Sequence, residues 1–179
     1  RPRNEAAETH RGGLAAIVGM EEEAVLEAGG KASASGIVNP ANFNGPGQVV
    51  ISGEQAAVAA ACEACKEAGA NRAIPLPVHG AFHSPLMGSA AEKLEQVLSA
   101  TGIAPCNITV ISNVTAEPVS DPNDIRRGLA SQVRSAVRWS QSMQRLVEDS
   151  YSDFVELGPG KVLTGLMRRI APECRVRNI

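Results

Sequence analysis

The chain has 179 residues, of which 44% are hydrophobic, enough to form the core of one domain or of two small ones. Its 17 Lys and Arg nearly balance its 19 Asp and Glu, and only 3% of its residues are aromatic. We therefore expect no nucleic-acid binding, which relies on a basic face and stacking aromatic rings. The longest apolar stretches, 14–18 and 48–51, fall far short of a membrane span, and we expect a soluble protein without a signal peptide.

The first part of the chain alternates between short apolar runs and helical patterns. The predicted elements are a strand at 14–19, a helix at 21–28, strands at 37–43 and 48–52, a helix at 54–68 and a strand at 72–78. Gly29 and Gly30 are expected to end the first helix, and residues 44–47 to form a hairpin turn. This order is that of the split βαβ, or ferredoxin-like, module. Residues 1–12 lack an apolar period and are expected to be the tail of a preceding core segment.

The second part of the chain also alternates between helix and strand. The predicted elements are helices at 87–100, 122–133, 140–147 and 161–170 and strands at 108–112 and 153–157. Asp121 is expected to cap the second of these helices, with Pro122 at its first position. The alternation predicts part of a parallel α/β sheet that is too short to be complete. The basic residues near the end are interpreted as a solvated helix end, with a docking patch for an acidic partner as the alternative; they are Arg168, Arg169, Arg175 and Arg177.

Two of the four cysteines, Cys62 and Cys65, have C-x-x-C spacing. No second pair follows at zinc-ribbon spacing and no histidine lies at a suitable offset, so a zinc site is not predicted. Their helical setting favours two small buried side chains on one helix face. Together with Cys106 and Cys174, we expect reduced thiols and a cytoplasmic or organellar compartment.

His83 is the candidate for acid–base chemistry. It follows the strand predicted to end at 78, in a loop between the two parts of the chain, where ligand clefts tend to form. A histidine can take up and return a proton near neutral pH, as acyl transfer requires of the partner of a serine or cysteine. His79 precedes it by four residues, but the prolines and Gly80 disfavour a helix, so a metal pair is not predicted. His10 is expected to be exposed.

The chain contains no recognisable nucleophile for this histidine. No G-x-S-x-G occurs, so no serine lies on a strained strand-to-helix elbow. Ser84 is adjacent to His83, and adjacent side chains in extended backbone point to opposite sides. The Gly-Pro-Gly-Lys run at 158–161 does not fit a Walker A loop, because Val155 and Val162 stand where glycine and Ser or Thr are needed. It is interpreted as a tight strand-to-helix turn.

Five longer motifs occur in order along nearly the whole chain. They lie at residues 39–53, 75–87, 111–115, 132–139 and 156–165. Together they resemble the malonyl-CoA:acyl carrier protein transacylases. The resemblance implies an α/β fold in which a ferredoxin-like βαββαβ subdomain, here 13–78, is inserted in an α/β-hydrolase-like parallel-sheet core. Residues 79–179 would then form the C-terminal part of that core, which is incomplete in this chain.

The resemblance also implies a reaction. Malonyl would move from coenzyme A to a serine and then to the phosphopantetheine thiol of acyl carrier protein, in fatty acid biosynthesis and without a bound cofactor. His83 would be the base that activates the serine and later the thiol, and Gln132 would orient it through its backbone carbonyl. Asn113 and the turn at Gly158 match loops near the active site. Phe82, just before the histidine, favours malonyl as the acyl group.

The chain departs from the family at its beginning. The family's N-terminal third carries a G-Q-G oxyanion loop, a G-H-S-x-G elbow and a carboxylate-binding arginine, and none of the three is recognisable here. Arg1 and Arg3 lie close to where that arginine would fall, but the local pattern assigns neither. We expect the C-terminal part of the enzyme, with the remaining segment supplied by another chain or omitted. The alternatives are a non-catalytic module that binds acyl carrier protein or a partner subunit, and a relative with a different acyl specificity.

Overall fold

A computed structural model of the chain describes residues 12–78 and 80–179. Its elements are β1 (Gly12–Val18), α1 (Glu22–Ala32), β2 (Val38–Gly45), β3 (Gln48–Glu54), α2 (Gln55–Glu67), β4 (Arg72–Pro75), α3 (Gly88–Ser99), β5 (Val110–Ile111), β6 (Pro118–Val119), α4 (Pro122–Gln132), α5 (Trp139–Glu148), β7 (Asp153–Glu156), α6 (Val162–Ile170) and β8 (Arg175–Asn178). Short 3-10 turns lie at Ser33–Ser35 and Pro85–Met87. The predictions for residues 1–11, including His10, and for His79 fall outside the described residues. Gly12, assigned above to the tail, is the first residue of β1.

The first four strands form one antiparallel sheet in the order β2-β3-β1-β4. The predicted order of strand, helix, strand, strand, helix, strand is confirmed, and β2 and β3 form the predicted hairpin. Ile17, Val49 and Ile51 on one face of the sheet are buried with Val25 of α1 and Val58 of α2. Each such side chain contributes about 1.5 to 3 kcal/mol by leaving water, which holds both helices on this face.

The opposite face of this sheet carries a second apolar cluster. Because successive side chains of a strand point to opposite faces, Leu14 and Val50 lie on the side away from the helices. They are buried with Ala41, and Leu76 and Phe82 pack against them. Phe82 immediately precedes His83, so this cluster ties the histidine loop to the sheet.

The second part of the chain contains two short, separate sheets. β5 pairs with β6 antiparallel, and β7 pairs with β8 parallel through α6, as a βαβ unit. Within the described residues, this unit is the only pair of neighbouring strands that fits the predicted parallel sheet. Ladders of two to four residues are marginal alone. Several apolar side chains beside them are exposed, among them Leu157 at 79% and Ile179 at 74%.

The helices of this part pack as local pairs. α3 lies against α4, whose first turn is capped as predicted: the Asp121 carboxylate accepts from the Asn123 and Asp124 amides at 2.8 and 3.2 Å. Met143 of α5 and Met167 of α6 are buried in a cluster that also packs on β7 and β8. None of the described helices is long and apolar enough to cross a bilayer.

The first helix is longer than predicted. α1 continues through Gly29 and Gly30 to Ala32, and neither glycine has a left-handed φ. The helix passes into a 3-10 turn, where the Ser33 hydroxyl donates to the Gly30 carbonyl at 2.6 Å, and the left-handed conformation falls on Gly36 at φ 128°. The prediction that the glycine pair ends the helix was wrong, because burial of Ala28 and Ala32 extends the helical face beyond it.

Strand boundaries also differ from the prediction. β4 ends at Pro75 instead of residue 78, and the strand predicted at 108–112 is reduced to β5. β6 and β8 were not predicted. β8 alternates polar and apolar residues, with Val176 facing the core cluster, a period of two that could have indicated it.

The cysteine pair of α2 is structural. Cys62 and Cys65 are free thiols buried on the helix face that meets the sheet, as predicted. Burial raises the pKa of both thiols above the ordinary cysteine value.

Candidate active site

His83 lies in a tight turn between β4 and α3, and its backbone is left-handed, with φ 60°. That conformation is unfavourable for a residue with a side chain and is held here by the neighbouring groups. Ser84 is fully buried; its hydroxyl donates to the Ala81 carbonyl at 2.7 Å and accepts from the Leu86 amide at 3.3 Å. The Ser84 hydroxyl is therefore engaged with the main chain of the turn.

The half-buried His83 ring is oriented by a main-chain carbonyl. Its Nδ1 lies 3.0 Å from the Gln132 oxygen, and its backbone N–H donates to the Val133 carbonyl at 3.2 Å. A carbonyl only accepts, so this hydrogen bond requires a proton on Nδ1 and leaves the lone pair of the neutral ring on Nε2. Nε2 is the nitrogen that could act as a base.

Residues 132–138, which we call the joining segment, connect α4 to α5 beside this ring. The Val137 carbonyl accepts from the Phe43 amide at 2.9 Å, and the Val137 amide donates to Ala41 at 2.8 Å. The Arg138 amide donates to the Asn113 carbonyl at 2.9 Å. Through its main chain, the joining segment therefore links the histidine turn, strand β2 and the loop between β5 and β6.

Asn113 is exposed in that loop. It shares with Gln132 the wall of a cavity of about 270 Å³ between α4 and the β5–β6 hairpin. The structure brings Asn113 to the joining segment through its carbonyl; among the hydrogen bonds of the described residues, none joins it directly to His83.

The turn after β7 is a strand-to-helix turn, as predicted. Gly158 and Gly160 both have left-handed φ angles, of 122° and 92°. The Glu156 carboxylate accepts hydrogen bonds from groups in the first turn of α6. The donors are the Thr164 hydroxyl at 2.6 Å, the Thr164 amide at 2.8 Å and the Leu163 amide at 3.1 Å. These hydrogen bonds, that of the hydroxyl foremost, lower the pKa of Glu156 below its ordinary value.

Glu156 opens the motif at 156–165, but the sequence alone assigned it no role. The signal available was an acidic residue at the end of a strand, just before a glycine turn and a helix, where a carboxylate meets free amides. Within residues 12–78 and 80–179, no cluster of three or more His, Cys, Asp or Glu could hold a metal ion.

The acyl transferase domain family matches residues 7–173, and the chain belongs to this family. Among its relatives are malonyl transferases. The chain is 46% identical over 168 residues to the malonyl CoA-acyl carrier protein transacylase of Bacillus subtilis (strain 168), a match that covers 93% of this chain and 53% of that protein. It spans about half the length of the curated relatives it matches.

Solved structures share its α/β fold. An acyl carrier protein S-malonyltransferase from Vibrio cholerae O1 superposes with a TM-score of 0.95 at 38% identity, over 99% of this chain and 60% of that one. A malonyl-transacylase in complex with its type II PKS acyl-carrier protein superposes with a TM-score of 0.92 at 36% identity, over 98% and 58%.

Proposed function

We propose that this chain is the C-terminal part of a malonyl-CoA:acyl carrier protein transacylase of fatty acid biosynthesis. The observation that carries the proposal is the His83 ring, whose Nδ1 lies on the Gln132 carbonyl so that Nε2 is the basic nitrogen. In this proposal the chain supplies the general base, and the nucleophilic serine belongs to a segment outside it. Malonyl-CoA is the substrate, no cofactor is bound, and the compartment is cytoplasmic or organellar.

The proposed reaction has two proton cycles. The serine hydroxyl gives its proton to Nε2 of His83 while its oxygen attacks the thioester carbonyl, and the collapsing intermediate releases coenzyme A, which takes that proton as a thiol. The phosphopantetheine thiol then gives its proton to Nε2 and attacks the acyl-serine ester, and the proton returns to the serine. The Gln132 carbonyl accepts the Nδ1 hydrogen throughout and stabilises the imidazolium that forms in each cycle.

We also propose the domain organisation. Residues 13–78 would be a ferredoxin-like subdomain, 79–179 the C-terminal part of a hydrolase-like core, and 1–12 the tail of a preceding core segment. The antiparallel order β4-β1-β3-β2 supports the first assignment. The exposed apolar side chains of Leu157 and Ile179 beside β7 and β8 support an incomplete core, and we propose that they contact polypeptide that the longer relatives contain beyond the matched part.

The acyl acceptor is inferred to be acyl carrier protein. Support comes from the curated relative named as its transacylase and from the solved complex of a malonyl-transacylase with its acyl-carrier protein. No observation favours the alternative of a non-catalytic module. Intact mass spectrometry of this chain alone after incubation with malonyl-CoA tests the absence of a nucleophile: we expect no adduct, and an acyl adduct would contradict the proposal.

The central experiment replaces His83 by Ala in the complete enzyme that contains this chain. We expect acyl-enzyme formation from malonyl-CoA to slow by about two orders of magnitude or more, because a general base contributes at least that much. Gln132→Ala is the comparison variant: it removes the side chain, which donates to the Ser135 carbonyl at 3.0 Å, but keeps the main-chain carbonyl on which His83 rests, and it should leave most of the rate. Unchanged acyl-enzyme formation in His83→Ala would overturn the proposed function.

A further inference from the structure

Strand β1 begins directly against the histidine turn. A methyl carbon added at Gly12 would lie 2.5 Å from the Ala81 nitrogen, 2.6 Å from its Cβ and 3.0 Å from its Cα. Non-bonded carbon atoms need about 3.5 to 4.0 Å, and two of these three atoms belong to the backbone, so no side-chain rotation could relieve the contact. The Gly80 amide also donates to the Gly12 carbonyl at 3.3 Å.

Glycine is needed at position 12 because a side chain there would overlap the turn, and not because of its backbone conformation. Gly12 is a residue of β1 and pairs with Glu54 of β3, an extended setting that residues with side chains also adopt. Its neighbour Gly13 lies in the same strand, and a methyl carbon added there would meet nothing within 4 Å. At Gly12, therefore, glycine is required by the closeness of the turn.

A displacement of Ala81 would reach His83. Ala81 is 1% exposed, and its carbonyl accepts a hydrogen bond from the buried Ser84 hydroxyl, so a shift of Ala81 would strain the hydrogen bond that spans His83. His83 lies between these two residues, and its hydrogen bonds to the joining segment depend on where the turn lies.

We propose that Gly12 is a positioning residue for His83. The missing side chain lets the turn lie flush on β1, which keeps the imidazole on the Gln132 carbonyl. This inference rests on the proposed role of His83 as the base, but its geometric part is independent of that role.

The test compares Gly12→Ala with Gly13→Ala in the complete enzyme. Two quantities are measured: the rate of malonyl transfer, and the ring ¹⁵N chemical shifts of His83, which report its tautomer. For Gly12→Ala we expect a rate loss of about 10- to 100-fold, the effect of a displacement of roughly 1 Å, together with altered ring shifts. Gly13→Ala should match the unmodified enzyme in both. Equal behaviour of the two variants would overturn the proposal.

Two further variants distinguish a failure of the proposed function from a failure of the inference about Gly12. If His83→Ala keeps its transfer rate, the proposed function fails, while the ring shifts of Gly12→Ala still decide whether Gly12 positions His83. If Gly12→Ala does not fold, the double variant Gly12→Ala/Ala81→Gly takes its place. It removes the Ala81 methyl group from the overlap but keeps the new side chain at position 12 against the backbone nitrogen at position 81, so the turn must still shift. We then expect altered His83 ring shifts and a slower rate, and no change in either would overturn the inference.

Discussion

Replacing Ser84 by Ala tests whether its hydroxyl stabilises the turn or takes part in catalysis. The variant loses a buried hydrogen bond to the Ala81 carbonyl and a partly buried one from the Leu86 amide. Loss of the cap on the 3-10 turn costs about 1 kcal/mol, and the buried carbonyl left without a donor costs about 1 kcal/mol more. The sum, about 2 kcal/mol, corresponds to a fall in melting temperature of roughly 4 to 8 °C for a chain of this size.

Denaturant unfolding and thermal melts measure this loss, with Ser99→Ala as the matched control. The Ser99 hydroxyl also donates to a carbonyl, that of Gln96, at 2.7 Å, but it is exposed. Water replaces that hydrogen bond, so its removal should cost less than about 0.5 kcal/mol. Acyl-enzyme should still form in the complete Ser84→Ala enzyme. Equal stability of the two variants, or loss of acyl-enzyme with unchanged His83 ring shifts, would refute the reasoning.

Three other predictions concern helix ends, a helix interior and the thiols. The pKa of Glu156 is lowered on folding, so its stabilisation is complete above the unfolded carboxyl pKa near 4.5 and is lost as pH falls through the lower folded value. Glu156→Gln should flatten that loss in urea unfolding between about pH 7 and pH 3. Gly30→Ala should stabilise α1 by about 0.5 to 1 kcal/mol in thermal melts, because the position is helical and open. Cys62 and Cys65 should react with a thiol reagent only after unfolding, and fast labelling of the folded chain would contradict their burial.

Local patterns predicted the antiparallel sheet well. The short apolar runs around Ile17 and Val50, the helical period of α2 and the turn before Gln48 all act within a few residues of the chain. The Asp121 cap belongs to the same class, because the carboxylate meets amides two and three residues away. His83 could be singled out because its loop follows a strand at the boundary between two patterns.

Other features depend on contacts between distant residues. β7 and β8 lie on either side of α6, so neither strand's own pattern identifies its partner, and β5 and β6 have only two residues each. The end of α1 shows tertiary packing overriding a local rule, since the glycine pair stays helical. From the residues alone the site was visible as His83, and Gln132 and Asn113 entered only through the family resemblance. The hydrogen bonds that hold His83 end on main-chain carbonyls, which have no residue signature.

The joining segment holds its neighbours through main-chain atoms. Its links to His83, to β2 and to the loop of Asn113 are made by main-chain carbonyls and amides. Every residue has both groups except proline, which lacks the amide hydrogen. Side chains along residues 133–138 can therefore change without removing the hydrogen bonds that orient the imidazole. The substitution that would break links to β2 and to the loop of Asn113 is a proline at Val137 or Arg138, because proline lacks the amide hydrogen that each of these residues donates.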